Sequence, residues 1–245
     1  KSLKLKFTSL TNKAIKMKKT INHLVLCGDS IFDNSSYVNQ GEPDVAKQVK
    51  ELLPDSKVSL LAVDGHITND VKEQVIDLPD DTTHMFISVG GNDGLTRMDT
   101  FQSTVNTVGE ALGILYGMRR DFEDEYKNMI NHALSFGIPL TLCSIYYPKF
   151  EGSSLDRVQG FFGGNDNTSL QKMSLAGLAV YNDIITKEAF QAGLPLIDLR
   201  VLCNDDKDFA NPIEPSAIGG KKIAAAIKEV VCSHNFSKNV SVVYC

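Results

Sequence analysis

From residue 22 onward, short apolar runs alternate with stretches whose apolar residues recur at helical spacing. The runs at 22–27, 58–63, 85–89, 139–145 and 195–199 are strand-length and rich in Val, Ile and Leu. Between them, 44–53 follows Pro43 as a helix, 69–77 as a short helix and 170–191 and 216–231 as longer ones. A long helical region covers 101–136, with a break expected near Gly113 and Gly117. Continuous apolar strands separated by helices predict a parallel sheet buried on both faces. The expectation is a three-layer α/β/α sandwich on five parallel strands, with a polar tail at 234–245 that is either loose or a small edge strand. One domain over 21–233 suffices, since the long irregular stretches at 146–169 and 203–215 both follow strand C-termini. That edge is where open α/β sheets bind ligands.

Composition narrows the classes. The 245 residues carry a net charge of −5 with 42% hydrophobic content, which excludes disorder as the dominant state. The longest apolar runs fall far short of the ~20 residues a bilayer requires. Residues 1–20 hold seven lysines and no acid, so 21–245 carry −12 and offer no polyanion-binding surface. The basic arm reads as a solvated tail, with weak contact to an anionic membrane surface as the alternative. It lacks the apolar stretch of a secretory signal, and a cytoplasmic protein is expected. The five cysteines show no CxxC spacing, which fits a reducing compartment and suggests no metal.

Three strand ends carry candidate chemistry. Gly28-Asp29-Ser30 follows the first strand, where a serine can project its hydroxyl at the sheet edge. Asp64-Gly65-His66 follows the second, where a glycine lets a backbone N–H approach a ligand closely. Gly90-Gly91-Asn92-Asp93-Gly94 follows the third, where an asparagine amide can donate to an oxyanion. Each alone reads equally well as an ordinary turn, with Asp29 fixing the first turn, Asp93 capping the next helix and Thr68 or Asn69 capping the helix after Gly65. A second Gly-Gly-Asn-Asp at 163–166 follows no apolar run and reads as a surface or lid loop. The glycine-rich run at 90–94 lacks the Lys-Ser/Thr of a phosphate loop.

In this order the three blocks resemble the signature of the SGNH, or GDSL-type, hydrolases, over about residues 22–231. The resemblance implies a flavodoxin-like fold and ester hydrolysis of the lipase or esterase kind without metal or organic cofactor. It implies Ser30 as nucleophile, with an oxyanion hole formed by the Ser30 and Gly65 backbone N–H groups and the Asn92 side chain. The substrate would be a small-molecule, lipid or carbohydrate ester or thioester. The chain departs from that pattern where the family has Asp-x-x-His before the last helix: Asn211-Pro212-Ile213-Glu214 stands there, followed by Pro215, Ser216 and Gly219-Gly220-Lys221-Lys222. Three readings follow. Glu214 is the base, with burial raising its pKa and Asn211 avoiding the repulsion an Asp would bring; His66, at the same edge, is the base instead; or catalysis is lost and the pocket binds an acyl- or acetyl-bearing ligand.

Overall fold

The computed structural model describes residues 22–150 and 167–245. The strands are β1 (His23–Gly28), β2 (Lys57–Leu60), β3 (His84–Ser88), β4 (Leu140–Cys143), β5 (Leu196–Ile197) and β8 (Val243–Tyr244). They form one all-parallel sheet in the order β2-β1-β3-β4-β5-β8. The count is therefore six, not five. The additional strand comes from the end of the 234–245 segment, where Val243 and Tyr244 pair with Leu196 and Ile197 and Tyr244 is buried. A separate hairpin joins β6 (Phe209–Asn211) to β7 (Glu214–Pro215).

Successive strand residues point to opposite faces and so supply two cores. Val25, Cys27, Met85, Ile87, Leu140 and Leu142 pack against α2 (Val71–Gln74), α4 (Val108–Leu134) and α5 (Asn167–Gln191). Leu24, Leu26 and Phe86 pack on the other face against α1 (Val45–Leu52) and α7 (Ala217–Ser233). Short helices α3 (Gly91–Thr96) and α6 (Leu199–Leu202) follow β3 and β5. The expected break at Gly113–Gly117 does not occur, and α4 runs unbroken for 27 residues from its Thr107 N-cap. Each glycine costs about 1 kcal/mol in a helix interior; the face carrying Met118, Phe122, Tyr126, Met129 and Ile130 is buried along the helix and outweighs it. Phe101 lies outside α4, in a 3₁₀ turn at Met98–Gln102.

Sheet order reverses direction between β1 and β3, because β1 connects outward to β2 and the chain then returns to β3 on the other side. Such a switch point opens a crevice at the strand C-termini. The residues after β1 and after β3 meet there. Among the described residues Cys27, Cys143 and Cys203 are buried free thiols, and burial pushes Cys27 and Cys203 up to about 12. No helix among the described residues is long and apolar enough to cross a membrane. The basic arm at 1–20, and with it the expected membrane contact, lies outside them.

Candidate active site

Ser30 sits in the tight turn that leaves β1. Gly28, the last strand residue, has φ +128°, and a Cβ there would stand 1.8 Å from the Ser88 carbonyl oxygen. Only glycine lets the turn come this close to β3. The next amide closes the approach, with Asp29 N–H donating to Ser88 O at 3.1 Å. Asp29 then fixes the turn, as its Oδ1 accepts from Ile31 N–H at 3.1 Å. Its burial pushes the carboxyl up to about 7, and the negative charges of Asp93 and Asp64 add to the effect.

The Ser30 hydroxyl donates to Glu214 Oε1 at 3.0 Å. Glu214 arrives on β7, and the hairpin that carries it is built by Asn211. The Asn211 Oδ1 accepts from both Ile213 N–H and Glu214 N–H, each at 3.0 Å. Asn34, fully buried, donates to Pro215 O and accepts from Val45 N–H, tying the hairpin to the loop after Ser30. The Glu214 carboxyl is 4% exposed and its Oε2 has no hydrogen-bond partner. Burial pushes its pKa up to about 8; the Ser30 hydrogen bond opposes this, and Asp29 and Asp64 reinforce it.

Asn92 lies in α3, and its Nδ2 donates to the His66 carbonyl at 2.9 Å, which leaves the second amide hydrogen for another acceptor. Gly65 is exposed at φ +83° in the turn whose carbonyl holds Asn92. The His66 ring is held elsewhere, its Nδ1 bonded to Gln74 Nε2 at 2.9 Å. Asp93 does not cap the following helix. The helix already begins at Gly91, so Asp93 turns inward and Oδ2 accepts from Thr68 N–H and Thr68 Oγ1. That also removes Thr68 as a cap of α2, whose N-cap is Asp70.

Ser30, Asn92 and Glu214 line one end of a single cavity of about 870 Å³, counting the space open at its mouth. Gly65 and His66 lie outside its wall. The rest is apolar and runs between α3, α4 and α5, past Leu95, Met98, Leu115, Met118, Met173 and Leu178. Phe150 and Tyr146, from the irregular stretch that begins at 146, line it as well. The second Gly-Gly-Asn-Asp at 163–166, Phe161 and Phe162 lie outside the described residues. A different Ser–His–Asp chain joins Ser59 Oγ, His23 and Asp81 at 2.8 and 2.6 Å. It occupies the opposite, N-terminal edge of the sheet and no part of the cavity. No group of three or more His, Cys, Asp or Glu among the described residues is arranged to hold a metal ion.

Sequence reasoning missed Asn34 and Gln74. Asn34 stands in the same run as Ser30, and its proximity was a usable signal. Gln74 lies inside the short helix expected at 69–77, where a glutamine is an ordinary residue, and carried none.

Structures of similar fold include the extracellular lipase of Streptomyces rimosus, at 16% identity and TM-score 0.57, and an acetyl xylan esterase, AlAXEase, at 18% and 0.59. A phospholipase A1 of Streptomyces albidoflavus NA297 follows at 15% and 0.56. Each likeness covers 85% of this chain and 99% of the other. A search of curated proteins gives no match. The family model described as GDSL-like lipase/acylhydrolase matches residues 26–220, a span that begins within β1 and ends in α7, and the chain belongs to that family.

Proposed function

We propose that the protein hydrolyses a carboxylic ester or thioester bearing an apolar acyl chain, with Ser30 as nucleophile and Glu214 as general base. The observation that carries this reading is the 3.0 Å hydrogen bond from Ser30 to a buried carboxyl at the end of an apolar cavity. Ionised Glu214 takes the serine proton as Oγ attacks the acyl carbon. The developing oxyanion is received by the free Asn92 amide hydrogen together with the Ser30 backbone N–H. Protonated Glu214 then gives its proton to the leaving alcohol or thiol. In the second half-reaction Glu214 takes a proton from water as the water oxygen attacks the acyl carbon, and returns it to Ser30 Oγ as the acyl–Oγ bond breaks and the acid is released. The cavity wall beyond these groups offers few polar partners for sugar hydroxyls, and unpaired buried hydroxyls are costly. That supports an acyl chain, rather than a carbohydrate, as its occupant.

One observation favours a second reading, a binding protein that keeps the pocket. Burial raises the pKa of Glu214 to about 8, which favours the neutral acid, a poor base, at pH 7. The test is labelling by a fluorophosphonate probe at pH 9, where Glu214 is ionised, with hydrolysis of p-nitrophenyl esters from acetyl to dodecanoyl measured in parallel. Labelling and turnover that both vanish in Ser30→Ala support the enzyme. Turnover that survives Ser30→Ala overturns the serine mechanism. An unlabelled protein that hydrolyses no ester yet binds dodecanoate is the binding protein.

A further inference from the structure

We propose that Gln74 is a positioning residue that locks the nucleophile turn to the oxyanion turn and holds His66 as a neutral imidazole protonated at Nε2. The proposal rests on the reading of Ser30 and Asn92 given above. Gln74 ends α2 and is 6% exposed, and its amide oxygen and both of its amide hydrogens are engaged. Oε1 accepts from Gly28 N–H at 2.7 Å. Nε2 donates to Gly28 O at 2.8 Å and lies 2.9 Å from His66 Nδ1.

The orientation of the amide follows from Gly28. A backbone N–H can only donate and a carbonyl can only accept, so oxygen must face the first and nitrogen the second. The remaining Nε2 hydrogen then points at His66 Nδ1, which must accept it. In the neutral ring the proton therefore sits on Nε2. His66 so held has no lone pair left to take the Ser30 proton, which disposes of it as the base. The two turns are joined through the same side chain. Gly28 precedes Asp29-Ser30, and the His66 carbonyl orients Asn92. Displacement of Gln74 frees both the residue that leads into the nucleophile and the carbonyl that aims the oxyanion donor. An oxyanion donor acts only where charge develops, so the loss falls on kcat.

The experiment combines ring spectroscopy, which needs no turnover, with kinetics. Long-range ¹H–¹⁵N spectra of the wild-type chain are expected to show His66 with an unprotonated, hydrogen-bonded Nδ1 and a protonated Nε2. Gln74→Glu replaces the donor by an acceptor and should invert the tautomer to Nδ1–H. Gln74→Met should move the Asn92 side-chain amide resonances, whereas Glu73→Ala, on the exposed side of α2, should not. In kinetics with p-nitrophenyl butyrate, Gln74→Met should lower kcat by about 10–100-fold with KM within about threefold, since the acyl cavity is untouched. The same change made in Asn92→Ala should cost less than in wild type, because both act on one donor. A wild-type His66 protonated at Nδ1 overturns the clamp, whether or not any variant folds. Equal costs of Gln74→Met with and without Asn92, or unmoved Asn92 resonances, overturn the positioning role. Failure of the hydrolase reading shows separately, as a protein with the expected tautomer that turns over no ester; the Asn92 resonances then decide the role of Gln74.

Discussion

Glu214→Gln should make the protein more stable and less active, and both effects should grow with pH. The substitution keeps the shape of the neutral acid and removes its ionisation. Glu214 is raised from 4.5 to about 8 by burial, so between those values the folded chain holds a proton that the unfolded chain has released. Its stabilising contribution is therefore fully present below about pH 4.5 and is lost as pH rises through about 8. The loss approaches about 1.4 kcal/mol per pH unit across that window, with about 5 kcal/mol as its upper bound. Asp29, pushed up to about 7 beside it, titrates in the same window and repels the same charge, so the contributions of the two do not add. Glutamine carries none of this cost. Thermal unfolding followed by circular dichroism should give nearly equal Tm for wild type and variant at pH 5. At pH 9 the variant should melt higher, by about 2–4 °C for each kcal/mol recovered. Over the same range wild-type kcat/KM should rise about tenfold per unit up to about pH 8 and then level. The variant should lose that limb together with about 10²–10⁴ of the rate, the usual contribution of a general base. A Tm difference that stays flat from pH 5 to 9 would refute the buried, protonated state of Glu214. A surviving alkaline limb in the variant would refute its role as base.

Asn92→Ala should lower kcat by about 10²–10³ with little change in KM, measured by steady-state ester hydrolysis; unchanged kcat removes Asn92 from the oxyanion hole. Asn211→Asp keeps an acceptor for the two N–H groups of the hairpin and adds a negative charge beside Glu214, so the alkaline limb of kcat/KM should move to higher pH. A Cβ on Gly177 would meet the Phe101 ring at 3.2 Å at the cavity wall, so Gly177→Leu should narrow the chamber. The ratio of dodecanoyl to acetyl p-nitrophenyl ester turnover should then fall at least about tenfold, since each methylene that loses its place forfeits about 0.8 kcal/mol; an unchanged ratio places the acyl chain elsewhere.

What the sequence made legible followed from its periodicities. Five apolar runs and their intervening helices predict the parallel sheet because strands buried on both faces have no polar positions. β8 stood only as one of two readings of the 234–245 tail, because a two-residue edge strand has too few residues to show a period; the structure has the edge strand. The unbroken α4 escaped for a different reason: Gly113 and Gly117 carry a helix-breaking propensity that the buried half of the helix overrides. At the site, Ser30, Asn92 and Glu214 could be named in advance since each follows a strand end or a motif position. The partner of Ser30 stayed open in the sequence between Glu214 and His66, because it depends on which side of the Gly65 turn the imidazole faces. That is set by Gln74, eight residues further on, through a side-chain contact that leaves no periodic trace.

Asn211 and Glu214 make sense only as a pair. An aspartate at 211 is useful beside a histidine because it stabilises the imidazolium formed when the base takes a proton. Beside a glutamate it would confront a carboxylate already held above its usual range by burial and by Asp29 and Asp64, and ionisation would be pushed further out of reach. Asparagine keeps the acceptor that fastens the Ile213 and Glu214 amides while bringing no charge. With Asn211 neutral, the proposed carboxylate base faces its own desolvation and the charges of Asp29 and Asp64, and no further one from position 211. Ser30 offsets part of that cost, since its hydroxyl, bonded to Oε1, favours the ionised form. In the proposed reaction the same hydrogen bond would align the proton for transfer, and it lowers the pKa of the acceptor towards the pH at which transfer can occur.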